Sequence, residues 1–197
     1  MNNLTITYVD DIIDKGISKF LGNLEFVRCN YTYHEYCFKD ETYNQIITNN
    51  IVKEGDILLI DNALFENRKV RNKMYGNELK ILLHMVYPFK KIITVSSKDY
   101  EDRDDEILSK FVKTPSWNNA QEYYNSVWYP KLESLAQSLW STREIIDRIN
   151  KKKYVDDYFY SKLSSSINGD TSYNDLSKKD IDDLIETFNK VRKSFEN

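Results

Sequence analysis

Acidic and polar side chains stand where strand-like apolar runs stop: Asp10 and Asp11 after residues 4–9, Asp61 after residues 56–60, and Ser96 near the end of residues 91–97. Lys113 follows a short apolar pair and precedes Pro115 by two residues. Carboxylates at the ends of buried strands can converge into one pocket. Crowding them is costly, because each negative charge raises the pKa of the next. A hard cation such as magnesium relieves that cost with oxygen ligands and retained waters. In such a pocket Asp61 could attack a phosphoryl donor and become an aspartyl phosphate. The metal and Lys113 would neutralise the transferred oxygens, and Ser96 would donate a hydrogen bond to them.

These residues need a scaffold that brings strand ends together. Residues 4–9 read as a buried strand, and Ile12, Ile13, Ile17, Phe20 and Leu21 then recur at helical spacing up to a stop at Gly22-Asn23. Residues 24–29 read as a second strand, 39–52 as a helix and 56–61 as the clearest strand in the chain. A polar loop with Arg68, Lys69, Arg71 and Lys73 leads to a helix opened by Gly76 and closed near Pro88. A fourth strand over 91–97, an acidic short helix over 98–108 and a fifth strand over 111–113 complete the alternation. Strands alternating with helices, each strand almost continuously apolar, imply a parallel sheet covered on both faces. In such sheets function gathers at the carboxyl ends of the strands.

After Trp117 the pattern is helical throughout. Leu132, Leu135, Leu139, Ile146 and Ile149 form a seam fit for packing within the chain or for a homodimer, and Ser177 and Asp180 make a capping box for a last helix. The expected division is a domain over 1–129 and a helical extension over 130–197.

The 197 residues carry a net charge of −3, so no global field draws the chain to nucleic acid or to an anionic membrane. No apolar run approaches the roughly 20 residues a membrane-spanning helix needs. Cys29 and Cys37 are the only cysteines, and the start of the chain lacks the pattern of a signal peptide, so a cytoplasmic protein is expected. His34 and His84 have no metal-type neighbours in sequence. The string Tyr-Val-Asp-Asp, which resembles the catalytic motif of reverse transcriptases, occurs twice, ending at Asp11 and at Asp157, the second time in a helical pattern and without the required hairpin, so both matches to that motif are read as chance.

The ordered residues resemble the receiver domain of two-component response regulators. The likeness runs through Tyr8-Val9-Asp10-Asp11, Leu58-Leu59-Ile60-Asp61, Gly76-Asn77-Glu78-Leu79, Thr94-Val95-Ser96-Ser97 and Val112-Lys113-Thr114-Pro115, over about the first 125 residues. The resemblance implies an α/β, flavodoxin-like fold with a five-stranded parallel sheet, here followed by an α-helical extension. It implies that Asp61 is the phosphoacceptor, Asp10 and Asp11 the magnesium-binding acids, Ala63 a backbone carbonyl ligand, Ser96 the switch hydroxyl and Lys113 the phosphate-sensing lysine. It also implies a histidine kinase or phosphotransfer protein as donor, and a protein effector. The chain departs from the pattern in having no proline shortly after Asp61, Thr114 between Lys113 and Pro115, and Lys110 where a switch aromatic is expected.

The resulting expectation is an intracellular signalling protein, a phosphoacceptor rather than a turnover enzyme. Two alternatives stand beside it: a degenerate receiver that binds partners without phosphorylation, and a magnesium phosphohydrolase, against which Ala63 counts because such enzymes want an aspartate there. Nothing after Trp117 resembles a DNA-reading helix pair, so direct DNA binding is not expected.

Overall fold

The computed structural model describes residues 3–39, 41–64, 75–97, 107–151, 156–167, 182, 185 and 186. The basic loop, most of the acidic segment, Tyr154 and Val155 of the second Tyr-Val-Asp-Asp string, and the last helix apart from Asp182, Ile185 and Glu186 lie outside these residues.

Strands β1 (Asn3–Asp10), β2 (Asn30–Cys37), β3 (Ile57–Asp61), β4 (Lys91–Ser96) and β5 (Ile107–Ser109) form one parallel sheet in the order β2-β1-β3-β4-β5. This is the flavodoxin-like order, with its switch point between β1 and β3. The expected fold class is therefore the one the chain adopts.

Period-two alternation divides the apolar residues between the two faces. Leu4, Ile6, Tyr8, Ile57, Leu59, Ile93, Val95 and Leu108 pack under α1 (Lys15–Gly22) and the late helices; Val9, Leu58, Ile60 and Ile92 pack under α2 (Tyr43–Thr48), α3 (Asn50–Glu54) and α4 (Gly76–Val86). A helical run continues through α5 (Ala120–Tyr123), a π-helical turn (Tyr124–Trp128) and α6 (Tyr129–Lys151); α7 (Asp157–Ile167) follows.

The structure corrects several boundaries. The second strand occupies 30–37 rather than 24–29, because an edge strand is buried on only part of one face and needs no continuous apolar run. Its aromatics instead alternate with polar residues. The helix expected over 39–52 is two helices, since Asn49 takes an extended conformation and caps the second by accepting from Ile51 N–H. Helix α1, expected from Ile12 by its periodicity, begins at Lys15, is capped by Asp14 and leaves Ile12 exposed. The fifth strand is 107–109, not 111–113, paired in register with Thr94, Val95 and Ser96.

Helix α6 runs through the expected 129/130 division, and Leu132, Ala136 and Leu139 lie in the same core as β1 and α1. The leucine seam thus packs on the sheet of its own chain. Pro130 sits in the first turn of α6. Its missing N–H and its ring interrupt a regular α-helical ladder, and the π-helical turn lies immediately before it.

At the amino ends of the strands, α6 is also tied by charge. Arg143 meets Asp56 Oδ1 at 2.5 Å, Asp56 Oδ2 accepts from Thr5 N–H at 2.9 Å, and the buried Lys90 ammonium donates to the Lys53 and Gly55 carbonyls, each at 2.5 Å. Burial lowers the Lys90 pKa to about 8, although the nearby Asp56 charge acts in the opposite direction.

Candidate functional site

At the carboxyl ends of the strands, β1 and β3 run in register through Val9 and Ile60, so the next residues, Asp10 and Asp61, finish neighbouring strands. By alternation both belong to the face that carries Tyr8 and Leu59. Both aspartates are buried, and one ammonium serves the two. Lys110 Nζ lies 2.7 Å from Asp61 Oδ1 and 3.4 Å from Asp10 Oδ2. The contact with Asp61 is a close ion pair without hydrogen-bond direction, because that oxygen is buried and makes no directed hydrogen bond. Side-chain exposure is 17% for Lys110 against 3% for Asp10 and 6% for Asp61, so the lysine stands on the solvent side of the pair.

Local bonds fix the carboxylates. Asp10 Oδ2 accepts a short hydrogen bond from the buried Tyr8 hydroxyl, and Oδ1 accepts from Ile12 N–H at 3.0 Å. Asp61 Oδ2 accepts from Ala63 N–H at 2.8 Å. Gly76, where the chain returns to open α4, is bound to the end of β3: its N–H donates to the Asn62 carbonyl at 3.1 Å. A Cβ at position 76 would sit 2.2 Å from the Asp61 carbonyl oxygen, so only glycine allows this approach.

The electrostatics follow from crowding. Burial raises the Asp61 pKa, the Asp10 charge raises it further, and Lys110 and the Ala63 amide oppose both. Asp10 is likewise raised by burial against the pull of Tyr8, Lys110 and Ile12. For Lys110, burial would lower the pKa, but Asp61 and Asp10 outweigh it and the ammonium is held above its usual value. Burial and then the Asp10 charge push the Tyr8 phenol well above its ordinary range.

Of the residues singled out from sequence, Asp10 and Asp61 are brought together. Ser96 is buried at the end of β4, one step beyond the Asp61–Val95 register pair, and its carbonyl accepts from Lys110 N–H at 2.7 Å. Asp11 lies past the end of β1 and is only half-buried. Among the described residues no three Asp, Glu, His or Cys side chains gather as a metal cluster. Lys113 is exposed in the loop after β5, and the lysine that reaches the carboxylates is Lys110. The physical reason is the position of β5: pairing with β4 ends at Ser109, which delivers the next residue to the strand ends.

Sequence reasoning missed Lys110 and Tyr8. Period two would have found Tyr8, two residues before Asp10 on the same face. Lys110 directly follows the apolar pair Ile107-Leu108 and Ser109, a run short enough to lose against the competing pair Phe111-Val112.

Magnesium commonly uses one or two carboxylates together with waters and phosphate oxygens. The buried Asp61 oxygen without a directed hydrogen bond, and two buried carboxylates sharing one ammonium, fit such a cation.

No family model matches the chain, and no curated protein does. Two solved structures of the response regulator RcsB span most of it. One, from Salmonella typhimurium and described for its conformational dynamism in DNA interaction, is 18% identical over 90% of this chain and 97% of that chain, with a TM-score of 0.38. The other, an RcsB–DNA complex, is 18% identical over 85% of this chain and 93% of that chain, with a TM-score of 0.36. The receiver-like fold of this chain rests on its own strand order and register.

Proposed function

We propose that the chain is a receiver-like signalling protein that accepts a phosphoryl group on Asp61. The observation that carries this reading is the arrangement of Asp61 and Asp10 about Lys110 at the carboxyl ends of β1, β3 and β5, beside the switch point of the sheet. An Asp61 oxygen attacks the phosphorus of a phosphohistidine donor. The new P–O bond forms as the P–N bond breaks, and the leaving imidazole takes up a proton. Lys110 stands where it can meet the charge on the transferred oxygens, which is where electrostatic stabilisation acts in phosphoryl transfer. The Ser96 hydroxyl, buried at the end of β4, is the switch hydroxyl in this reading. Asp10 and Asp61 would hold a magnesium ion, which when bound neutralises phosphoryl charge. The donor class is a histidine kinase or phosphotransfer protein, and the output is a change in binding to a protein effector in the cytoplasm.

Incubation with acetyl phosphate and magnesium, read by intact mass, tests the reading. Labelling of the wild type that disappears in Asp61→Asn supports it, whereas equal labelling of both overturns it. One observation favours the alternative of an interaction module without phosphorylation: Lys110 already bridges both carboxylates. A wild type that binds its effector but is never labelled would establish that reading instead.

A further inference from the structure

The two peptide groups that flank Lys110 are held from one side by three aromatic residues. The Ser109 carbonyl accepts the Tyr123 hydroxyl and the Trp128 indole N–H, each at 3.0 Å. The Phe111 amide donates to the Tyr124 hydroxyl at 3.3 Å. Strand β5 contributes only three residues and pairs on one edge, so its ladder alone holds Lys110 weakly.

The π-helical turn explains how these rings act together. Tyr129 N–H bonds the Tyr124 carbonyl, five residues back, so residues five apart stand about one turn apart. Tyr123 and Trp128 are five apart and both reach the same carbonyl. In a regular α-helix they would be about 140° apart and could not both face it. The rings are themselves fixed: Tyr124 packs on Trp128 at 4.8 Å between centroids, Trp128 on Phe20 at 6.2 Å, and Tyr123 on Phe111 at 5.9 Å.

We propose that Tyr123, Tyr124 and Trp128 are positioning residues that set the Lys110 ammonium on Asp61 and Asp10 through the Ser109 and Phe111 peptide groups. The consequence for phosphoryl transfer rests on the phosphoacceptor reading of Asp61; the clamp on Lys110 does not. Movement of the π-helical turn moves the lysine, and α6 extends that turn across the sheet to the Arg143–Asp56 pair.

Site-resolved lysine acetylation of the folded full chain by acetic anhydride, read by peptide mass spectrometry, tests the clamp. Lys113 is the exposed reference, and Lys90, buried at the far end of the sheet, reports general loosening. In Tyr123→Phe and Trp128→Phe the Lys110 rate relative to Lys113 is expected to rise about fivefold for each hydrogen bond removed, with Lys90 unchanged. An unchanged Lys110 rate, or one that rises only in step with Lys90, overturns the proposal. If Trp128→Phe does not fold, Tyr123→Phe carries the test, since its ring is only partly buried. In a parallel arm, slower acetyl phosphate labelling of Tyr123→Phe links the clamp to the reaction, whereas a wild type that is never labelled refutes the phosphoacceptor reading and leaves the acetylation result standing.

Discussion

The two ends of the sheet both bury charge, and they handle it differently. At the amino ends, Asp56 is bonded to Arg143 and to the Thr5 amide, and Lys90 to two carbonyls, so each carboxylate has its own cation or amide, although Arg143 Nε is itself buried without a hydrogen-bond partner. At the carboxyl ends, Asp10 and Asp61 share one lysine, and one Asp61 oxygen is buried without a directed hydrogen bond. The first end closes a structure by tying α6 to the strands. The second keeps excess negative charge in a small space, which suits a site that receives a cation and a phosphoryl group. The contrast teaches that burial of a charged group is not by itself a functional mark; the balance of partners is.

Four experiments would break or sharpen this contrast. The largest effect is expected at the carboxyl end: Lys110→Ala lowers the rate of acetyl phosphate labelling at least about tenfold, while Lys113→Ala leaves it unchanged. Equal losses in both variants would return the role to the loop lysine.

Next, Asp56→Ala should cost about 3 kcal/mol in urea unfolding, since it strands the Arg143 guanidinium and the Thr5 amide. A loss below about 1 kcal/mol would mean that the amino-end network is not holding α6.

A smaller effect concerns Lys90. Its folded pKa of about 8 lies below the ordinary 10.5, so the unfolded chain binds more protons between these values and stability rises with pH there. Unfolding free energy should therefore increase from about pH 8 to pH 10 in the wild type and stay flatter in Lys90→Met. The interval stops at 10 because buried tyrosines such as Tyr8, with raised pKa values, reverse the slope above it.

The smallest effect is the stability of Asp61→Asn. The folded pKa values of Asp61 and Asp10 are raised, so their contribution to stability is present below the ordinary 3.8 and is lost as pH rises through the folded values. The variant should be at least as stable as the wild type at pH 7, with the difference shrinking toward pH 4. A variant clearly less stable at pH 7 would make the carboxyl end as structural as the amino end.

Asp10 and Asp61 were legible because β1 and β3 are central strands, buried on both faces, whose apolar runs end abruptly at the carboxylates. The parallel sheet was legible for the same reason. The second strand was not, because an edge strand alternates and Leu24, Phe26 and Val27 offered a more apolar competitor nearby. The place of Asp11 was not legible either, since it falls past the end of β1 and is only half-buried.

The sequence by itself determined which strands are central, where they stop, and hence which two carboxylates finish side by side. These are local properties of apolar runs and their ends. Only the tertiary structure decided which lysine completes the site. Lys110 and Lys113 follow equally short apolar pairs, and what separates them lies far along the chain: pairing of β5 with β4, and hydrogen bonds from Tyr123, Tyr124 and Trp128 to the peptides on either side of Lys110.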